Sequence, residues 1–261
     1  MNNLQDYKGE TFDIILQGGQ SNAEGCGLGP AENEYQPDEN ILYMTNIDVQ
    51  RTSYCGTYAS ALKDFNISIA EERIWDGKKV NEFSLSFAKE YQKKLLKRGR
   101  KILILRTAVG GTGWSNKRWG MKDDLYLNMM SMTKAALELN AANELKAFLW
   151  HQGESDRGTD RVTHYNNLIA LVKSVRETYD YHDLPFIAGD FVSEWKLKNL
   201  QGCKPVVQAI RDVCRDSGGE FVETADLKSN NQENGGGDDI HFSRNSLYIL
   251  GRRYFDAFEK L

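Results

Sequence analysis

The sequence predicts an α/β protein, a parallel sheet with helices on both of its faces. Two features carry that expectation. Short apolar runs alternate with stretches of helical periodicity, the pattern of strands joined by crossover helices. No repeat, low-complexity tract or Pro/Ser-rich linker divides the 261 residues. One domain over residues 1–261 is therefore expected, and the length suits a single large α/β unit.

The elements follow in order. Phe12-Asp13-Ile14-Ile15-Leu16 is an apolar run closed by Gly18-Gly19, which reads as a buried strand ending in a sharp turn. Further strand-like runs lie at Ile41–Met44, Ile102–Leu105, Ala147–Trp150, Phe186–Ala188 and Phe221-Val222. Residues 45–80 have poor periodicity and are expected to form a long loop or insertion. Helical stripes fill the intervals. Phe83, Phe87, Tyr91 and Leu95 recur at every fourth position, Tyr165, Leu168, Ile169, Val172 and Val175 form a second stripe, and Leu247, Leu250, Tyr254 and Phe258 a third. Their apolar side chains are expected to face the core. The chain has four prolines, none of which breaks these stripes.

Composition narrows the function. With 40% hydrophobic residues the chain can bury a full core. Its 33 basic and 37 acidic residues give a net charge of −4, and no basic run is interleaved with aromatics, so no nucleic-acid partner is expected. The apolar stretches are too short to span a bilayer. The opening MNNLQDYKGE is polar and lacks the regions of a signal peptide. Cys26, Cys55, Cys203 and Cys214 show no CxxC spacing and no dense framework. Reduced thiols in a cytoplasmic protein are the expectation, and oligomeric state is not legible.

The polar segments that follow the strands carry the chemistry. Ser21 follows the first strand on a glycine turn, and Gly110-Gly111-Thr112-Gly113 follows Lys101–Ala108. His151-Gln152-Gly153-Glu154-Ser155-Asp156 follows Ala147–Trp150, and Asp238-Asp239-Ile240-His241 lies in a glycine-rich loop after Phe221-Val222. In a parallel sheet the carboxyl ends of the strands share one edge, so these segments can meet there. Ser21 is the candidate nucleophile, although Ser21 and Glu24 also match a helix capping box. His241 is the candidate base, with Asp238 three residues earlier placed to orient its ring. His164, on a helical stripe, and His182, beside a turn, suit structural or surface roles. Gly110 and Gly111 can bring a backbone N–H close to a substrate oxygen. His151, Glu154, Asp156, Asp238 and His241 are also possible metal-ligand types, but no HExxH or cysteine-ligand spacing supports a metal.

Gly19-Gln20-Ser21-Asn22, Trp150 through Asp156, and Asp238-x-x-His241 resemble, in order, the sequence blocks of SGNH-type hydrolases. They are most similar to the branch containing sialate O-acetylesterases and carbohydrate esterase family 6 acetylxylan esterases. The blocks bracket residues 12 to 245, nearly the whole chain. The resemblance implies a three-layer, flavodoxin-like α/β/α sandwich that hydrolyses O-acetyl esters on sugars without metal or cofactor. It assigns Ser21 as nucleophile and His241 as base. The oxyanion donors would be the Ser21 N–H, an N–H at Gly110 or Gly111, and the Gln152 amide. The wider superfamily places an asparagine where this chain, like the carbohydrate branch, has Gln152. Asp238 is the favoured orienting acid and Glu154 a second partner of the same histidine.

The expected activity is a serine esterase acting on an acetylated saccharide through an acyl-enzyme. Two other readings remain at this level. One is a non-catalytic carbohydrate-binding protein on the same scaffold, with Trp114 and Trp119 stacking on sugar rings. The other is a metal-dependent hydrolase. The sugar itself, whether xylan fragment, sialic acid or another acetylated oligosaccharide, is not legible, although the polar amino terminus favours small imported substrates over polymer.

Overall fold

The structure is a computed structural model that describes residues 4–45 and 65–261. Its strands are β1 (Phe12–Gly19), β2 (Ile41–Thr45), β3 (Asn66–Ile69), β4 (Arg73–Trp75), β5 (Lys78–Val80), β6 (Lys101–Arg106), β7 (Glu144–His151), β8 (Phe186–Gly189) and β9 (Glu220–Val222). The helices are α1 (Ser21–Glu24), α2 (Ser84–Lys94), α3 (Asp124–Glu138), α4 (Arg161–Tyr179), α5 (Ser193–Lys198), α6 (Leu200–Asp216), α7 (Asn230–Asn234) and α8 (Arg244–Phe258). Seven strands form one sheet in the order β3-β2-β6-β1-β7-β8-β9. All pairings in it are parallel except β2 with β3 at the edge.

β1 lies at the middle of this sheet, between β6 and β7, and all eight of its residues are buried. That burial explains its almost continuous apolar run. Its two polar side chains inside the core, Asp13 and Gln17, both find partners, although the buried Gln17 Oε1 has none. Asp13 accepts from Arg100 Nε (2.6 Å) and the Tyr91 hydroxyl (2.9 Å), and Gln17 Nε2 donates to Glu82 and to the Ala23 carbonyl.

Helices cover both faces. α2 and α8 pack together on one, while α4 packs against α6 on the other, where α3 joins α4 through Tyr126 and Ser174. Successive residues of β7 point to opposite faces, as strand geometry requires. Trp150 meets Trp114, Trp119 and Phe148, whereas His151 meets Phe83, Phe242 and Tyr254.

Two local expectations need correcting. The stretch expected to form a long loop or insertion contains β3, β4 and β5 in its described part, and the remainder, residues 46–64 with Cys55, lies outside the described residues. Strands this short carry too few alternations to register as a period. Leu95 does not face the core. It sits just beyond the end of α2 and is 43% exposed, since the fourfold spacing outlasts the helix by one residue. α6, which the sequence did not single out, carries Pro205 and runs on through it; the proline and glycine of its first turns hid the helix. Cys203 and Cys214 are buried free thiols, and Cys26 is buried as well.

Candidate active site

The site grows from the carboxyl end of β1. Gly19 has φ +137°, and a Cβ there would overlap the His151 carbonyl of the neighbouring strand, so only glycine fits this turn. Gln20 N–H then donates to His151 O (3.0 Å), and the chain enters the single turn of α1. Ser21 is the first helical residue of that turn, and the capping role belongs to Gln20, whose side chain makes no cap bond. The expected Ser21–Glu24 capping box is not formed. Glu24 instead accepts from the Gly110 N–H (2.6 Å) and pairs with Arg73 (3.3 Å). The N–H of a first helical residue has no partner within its helix, and among the described residues no acceptor takes the N–H of Ser21 or of Gly111.

Ser21, His241 and Asp238 meet. Ser21 Oγ lies 2.9 Å from His241 Nε2, and His241 Nδ1 lies 2.8 Å from Asp238 Oδ1. The other Asp238 oxygen accepts from Asn230 Nδ2 (2.8 Å), which also donates to the Cys26 carbonyl. α7 sets Asn230 in place. It begins with a reciprocal capping box between Ser229 and Gln232, and Asn230 N–H donates to the His241 carbonyl (2.8 Å). Burial raises the Asp238 carboxyl, but the bond to the His241 ring, the imidazole's charge and the Asn230 amide outweigh it and hold the group below its ordinary value. Asp238 is thus ionised at neutral pH, as an orienting acid must be.

Glu154 arrives from the short 3₁₀ turn Glu154–Asp156 after β7. Its Oε1 accepts from Asn22 Nδ2 (2.8 Å), and burial pushes its carboxyl up. Its neighbour His151 is fully buried, and that burial pushes the ring down to about 3. The Tyr254 hydroxyl donates to the Trp150 carbonyl, so it accepts from His151 Nδ1 (3.0 Å). The 3.9 Å approach of His151 to Glu154 therefore joins a neutral ring to a carboxyl group and is not an ion pair at working pH.

Gln152 reaches the glycine loop after β6. Its Nε2 donates to Asp156 Oδ2 (2.7 Å) and the Thr112 carbonyl (3.1 Å), so both amide hydrogens are engaged. Asp156 also accepts from the N–H groups of Trp114 (3.1 Å) and Ser115 (2.8 Å). This buried carboxylate thereby joins the segment after β7 to the loop after β6. Gly113 makes the approach possible, because a Cβ there would lie 2.5 Å from Asp156 Oδ1. Asp156, Asn22 and Asn230 are structural participants that the sequence patterns did not assign. The capping box at Ser229 was the one local signal that could have drawn attention to Asn230.

Trp119 is 1% exposed and packs edge-on against Trp150, so it offers no face to a sugar. Trp114 is partly buried against Trp150 and His164. His164 is buried, and that burial pushes its ring down to about 4. His182 is exposed and pairs with Asp180. Among the described residues no three His, Cys, Asp or Glu side chains gather as a metal-binding group, and no helix is long and apolar enough to cross a membrane.

A helix-covered, mostly parallel sheet with serine, histidine and aspartate linked at its carboxyl edge is the arrangement of SGNH-type hydrolases. Within that class, the family described as carbohydrate esterase, sialic acid-specific acetylesterase, matches residues 11–260, and the chain belongs to it. It is 32% identical over 90 residues to a probable 9-O-acetyl-N-acetylneuraminic acid deacetylase of Escherichia coli (strain K12), covering 30% of this chain and 27% of that protein. It is 31% identical over 105 residues to a probable carbohydrate esterase of Arabidopsis thaliana, covering 40% of this chain and 39% of that one. The matched stretches thus span less than half of either relative's length. The solved structure of the Arabidopsis protein superposes with a TM-score of 0.73 at 21% identity, over 95% of this chain and 98% of that one. The structure of NanS gives 0.74 at 18% identity, over 96% and 97%. These are likenesses of fold.

Proposed function

We propose that the chain is a serine esterase that removes O-acetyl groups from carbohydrates through an acyl-enzyme. The observation that supports it is the continuous relay from Ser21 Oγ to His241 Nε2 (2.9 Å) and from His241 Nδ1 to Asp238 (2.8 Å). The Ser21 hydroxyl attacks the acetyl carbonyl while His241 Nε2 takes its proton. Asp238 holds the ring and stabilises the imidazolium that forms. Collapse expels the sugar hydroxyl, which receives the proton from His241. A water, deprotonated by the same nitrogen, then releases acetate and restores Ser21. Family membership supports the acetyl-sugar substrate, and the names of the Escherichia coli and Arabidopsis relatives point to acetylated sialic acid or another sugar.

The negative oxygen of the tetrahedral intermediate needs prepositioned donors. Ser21 N–H and Gly111 N–H fill this role, since Gly110 N–H is taken by Glu24. Gln152 contributes by exchanging its longer bond, to the neutral Thr112 carbonyl, for the oxyanion while Asp156 retains the other hydrogen. The test is acetate release from a panel of O-acetylated saccharides, with the products weighed by mass spectrometry. The parental protein should deacetylate at least one of them, and Ser21→Ala should lose on the order of 10⁶ in kcat while keeping its fold. Glycan binding with no turnover by the parental protein would contradict the reading.

A further inference from the structure

Asn22 follows the nucleophile in the chain and has no part in the reaction set out above. It is fully buried, and both of its amide hydrogens are used. Nδ2 donates to Glu154 Oε1 (2.8 Å) and to the Ile240 carbonyl (3.1 Å), and Oδ1 accepts from the Phe242 N–H (3.1 Å). The partners fix which way the amide faces. Turned over, its NH₂ would meet the Phe242 N–H, and its oxygen would meet a carboxylate and a carbonyl.

Ile240 and Phe242 are the residues on either side of His241. One side chain from the nucleophile's own turn therefore grips the backbone both before and after the base. The segment that carries His241 needs such a grip. Three successive glycines, Gly235, Gly236 and Gly237, precede Asp238, all with positive φ, and glycine backbone is the least restrained. Asn230 secures the aspartate end of the segment, and Asn22 secures the histidine end.

We propose that Asn22 is a positioning residue that sets the Ser21–His241 distance, with Glu154 as its anchor. Glu154 then serves His241 through Asn22's grip on the backbone, not as the acid of the triad. The inference rests on Ser21 and His241 being nucleophile and base. A base displaced by about 1 Å slows proton transfer without weakening substrate binding, a change that can cost about 10² in rate.

The experiment compares Asn22→Asp with the double variant Asn22→Asp/Glu154→Gln. Asn22→Asp abolishes both donations and sets a second carboxylate against Glu154. Its kcat should fall about 10²-fold with KM within about two-fold of parental, and phosphonate labelling of Ser21 should slow by the same factor. In the double variant the amide introduced at position 154 can donate to the carboxylate introduced at position 22. The link returns with its polarity reversed, and kcat should recover at least about ten-fold. Parental kcat in Asn22→Asp, or a double variant no faster than the single one, would overturn the proposal. Should Asn22→Asp not fold, Glu154→Ala removes the anchor and leaves Asn22 in place. A fall of about ten-fold in its kcat at constant KM would support the proposal, and parental kcat would overturn it. Ser21→Ala separates the two levels. If it retains turnover, the nucleophile assignment and this inference fall together. If it is inactive while Asn22→Asp works at the parental rate, the positioning role alone falls.

Discussion

At the scale of single residues, the site divides into groups whose role is written in their chemistry and groups whose role depends on what they touch. Ser21, His241 and Asp238, proposed as nucleophile, base and orienting acid, are of the first kind, because each of those roles demands particular side chains in short local motifs. Asp156, Asn22 and Asn230 are of the second kind. An asparagine has no distinctive chemistry until its partners are known; those of Asn22 lie at least 132 residues away, and Asn230 ties Asp238, in the same loop, to the distant Cys26 carbonyl. The two acids are separated by their contacts, since Asp238 touches the His241 ring and Glu154 touches Asn22. Asp238→Asn is accordingly expected to cost about 10⁴ in kcat and Glu154→Gln much less, measured by acetate release from proteins of matched stability. The reverse ranking would give Glu154 the triad role. Gly113→Ala places a methyl group 2.5 Å from the Asp156 carboxylate. It should destabilise the protein by about 1–3 kcal/mol, read from the urea midpoint.

At the scale of elements, the central strands were legible because burial on both faces makes them apolar throughout, and polar segments follow them directly. The glycine turn after β1 was legible because Gly19 is the one residue type its backbone accepts. α2, α4 and α8 showed in their stripes. α6 did not, although Cys203, Val206, Ile210, Val213 and Cys214 are all buried on it. Gly202 and Pro205 near its start resemble loop signals, and packing against α4 outweighs them. Proline in a helix lacks the N–H that would bond to the carbonyl four residues back. Pro205→Ala restores that donor and should raise stability by about 1–2 kcal/mol after the added freedom of the unfolded chain is counted. A higher urea midpoint with an unchanged slope checks it, and a lower midpoint would mean that the proline ring packs usefully where it lies. β3, β4 and β5 escaped notice for a different reason: three or four residues at a sheet edge or in a hairpin carry too little pattern.

At the scale of the whole molecule, the fold brings residues from both ends of the sequence to one sheet edge and buries His151 and His164 completely. His151 and His164 are pushed by burial down to about 3 and about 4, whereas in an unfolded chain such rings titrate near 6.5. Between these values the unfolded state binds more protons than the folded one, so stability rises with pH and is lost on acidification below about pH 6.5. At pH 5 each ring accounts for about 2 kcal/mol of that loss. Glu154, pushed up by burial, contributes with the opposite sign, since ionising it costs the folded state more than the unfolded one. Two rings against one carboxyl should leave a net loss. Urea midpoints between pH 7 and pH 5 test this, and His164→Phe should flatten the slope. Because the core of the main sheet is continuous, the described residues are also expected to unfold together in one transition.

The central claim is that Ser21 forms the acyl-enzyme. Its most direct measurement is the mass of the protein after reaction with an activated phosphonate, followed by peptide mapping and assay of acetate release from an O-acetylated sugar. The account predicts one adduct per chain, on the Ser21 peptide, with acetate release falling in proportion to labelling and no adduct on Ser21→Ala. Acetate release that continues at the parental rate after Ser21 is fully labelled would contradict it.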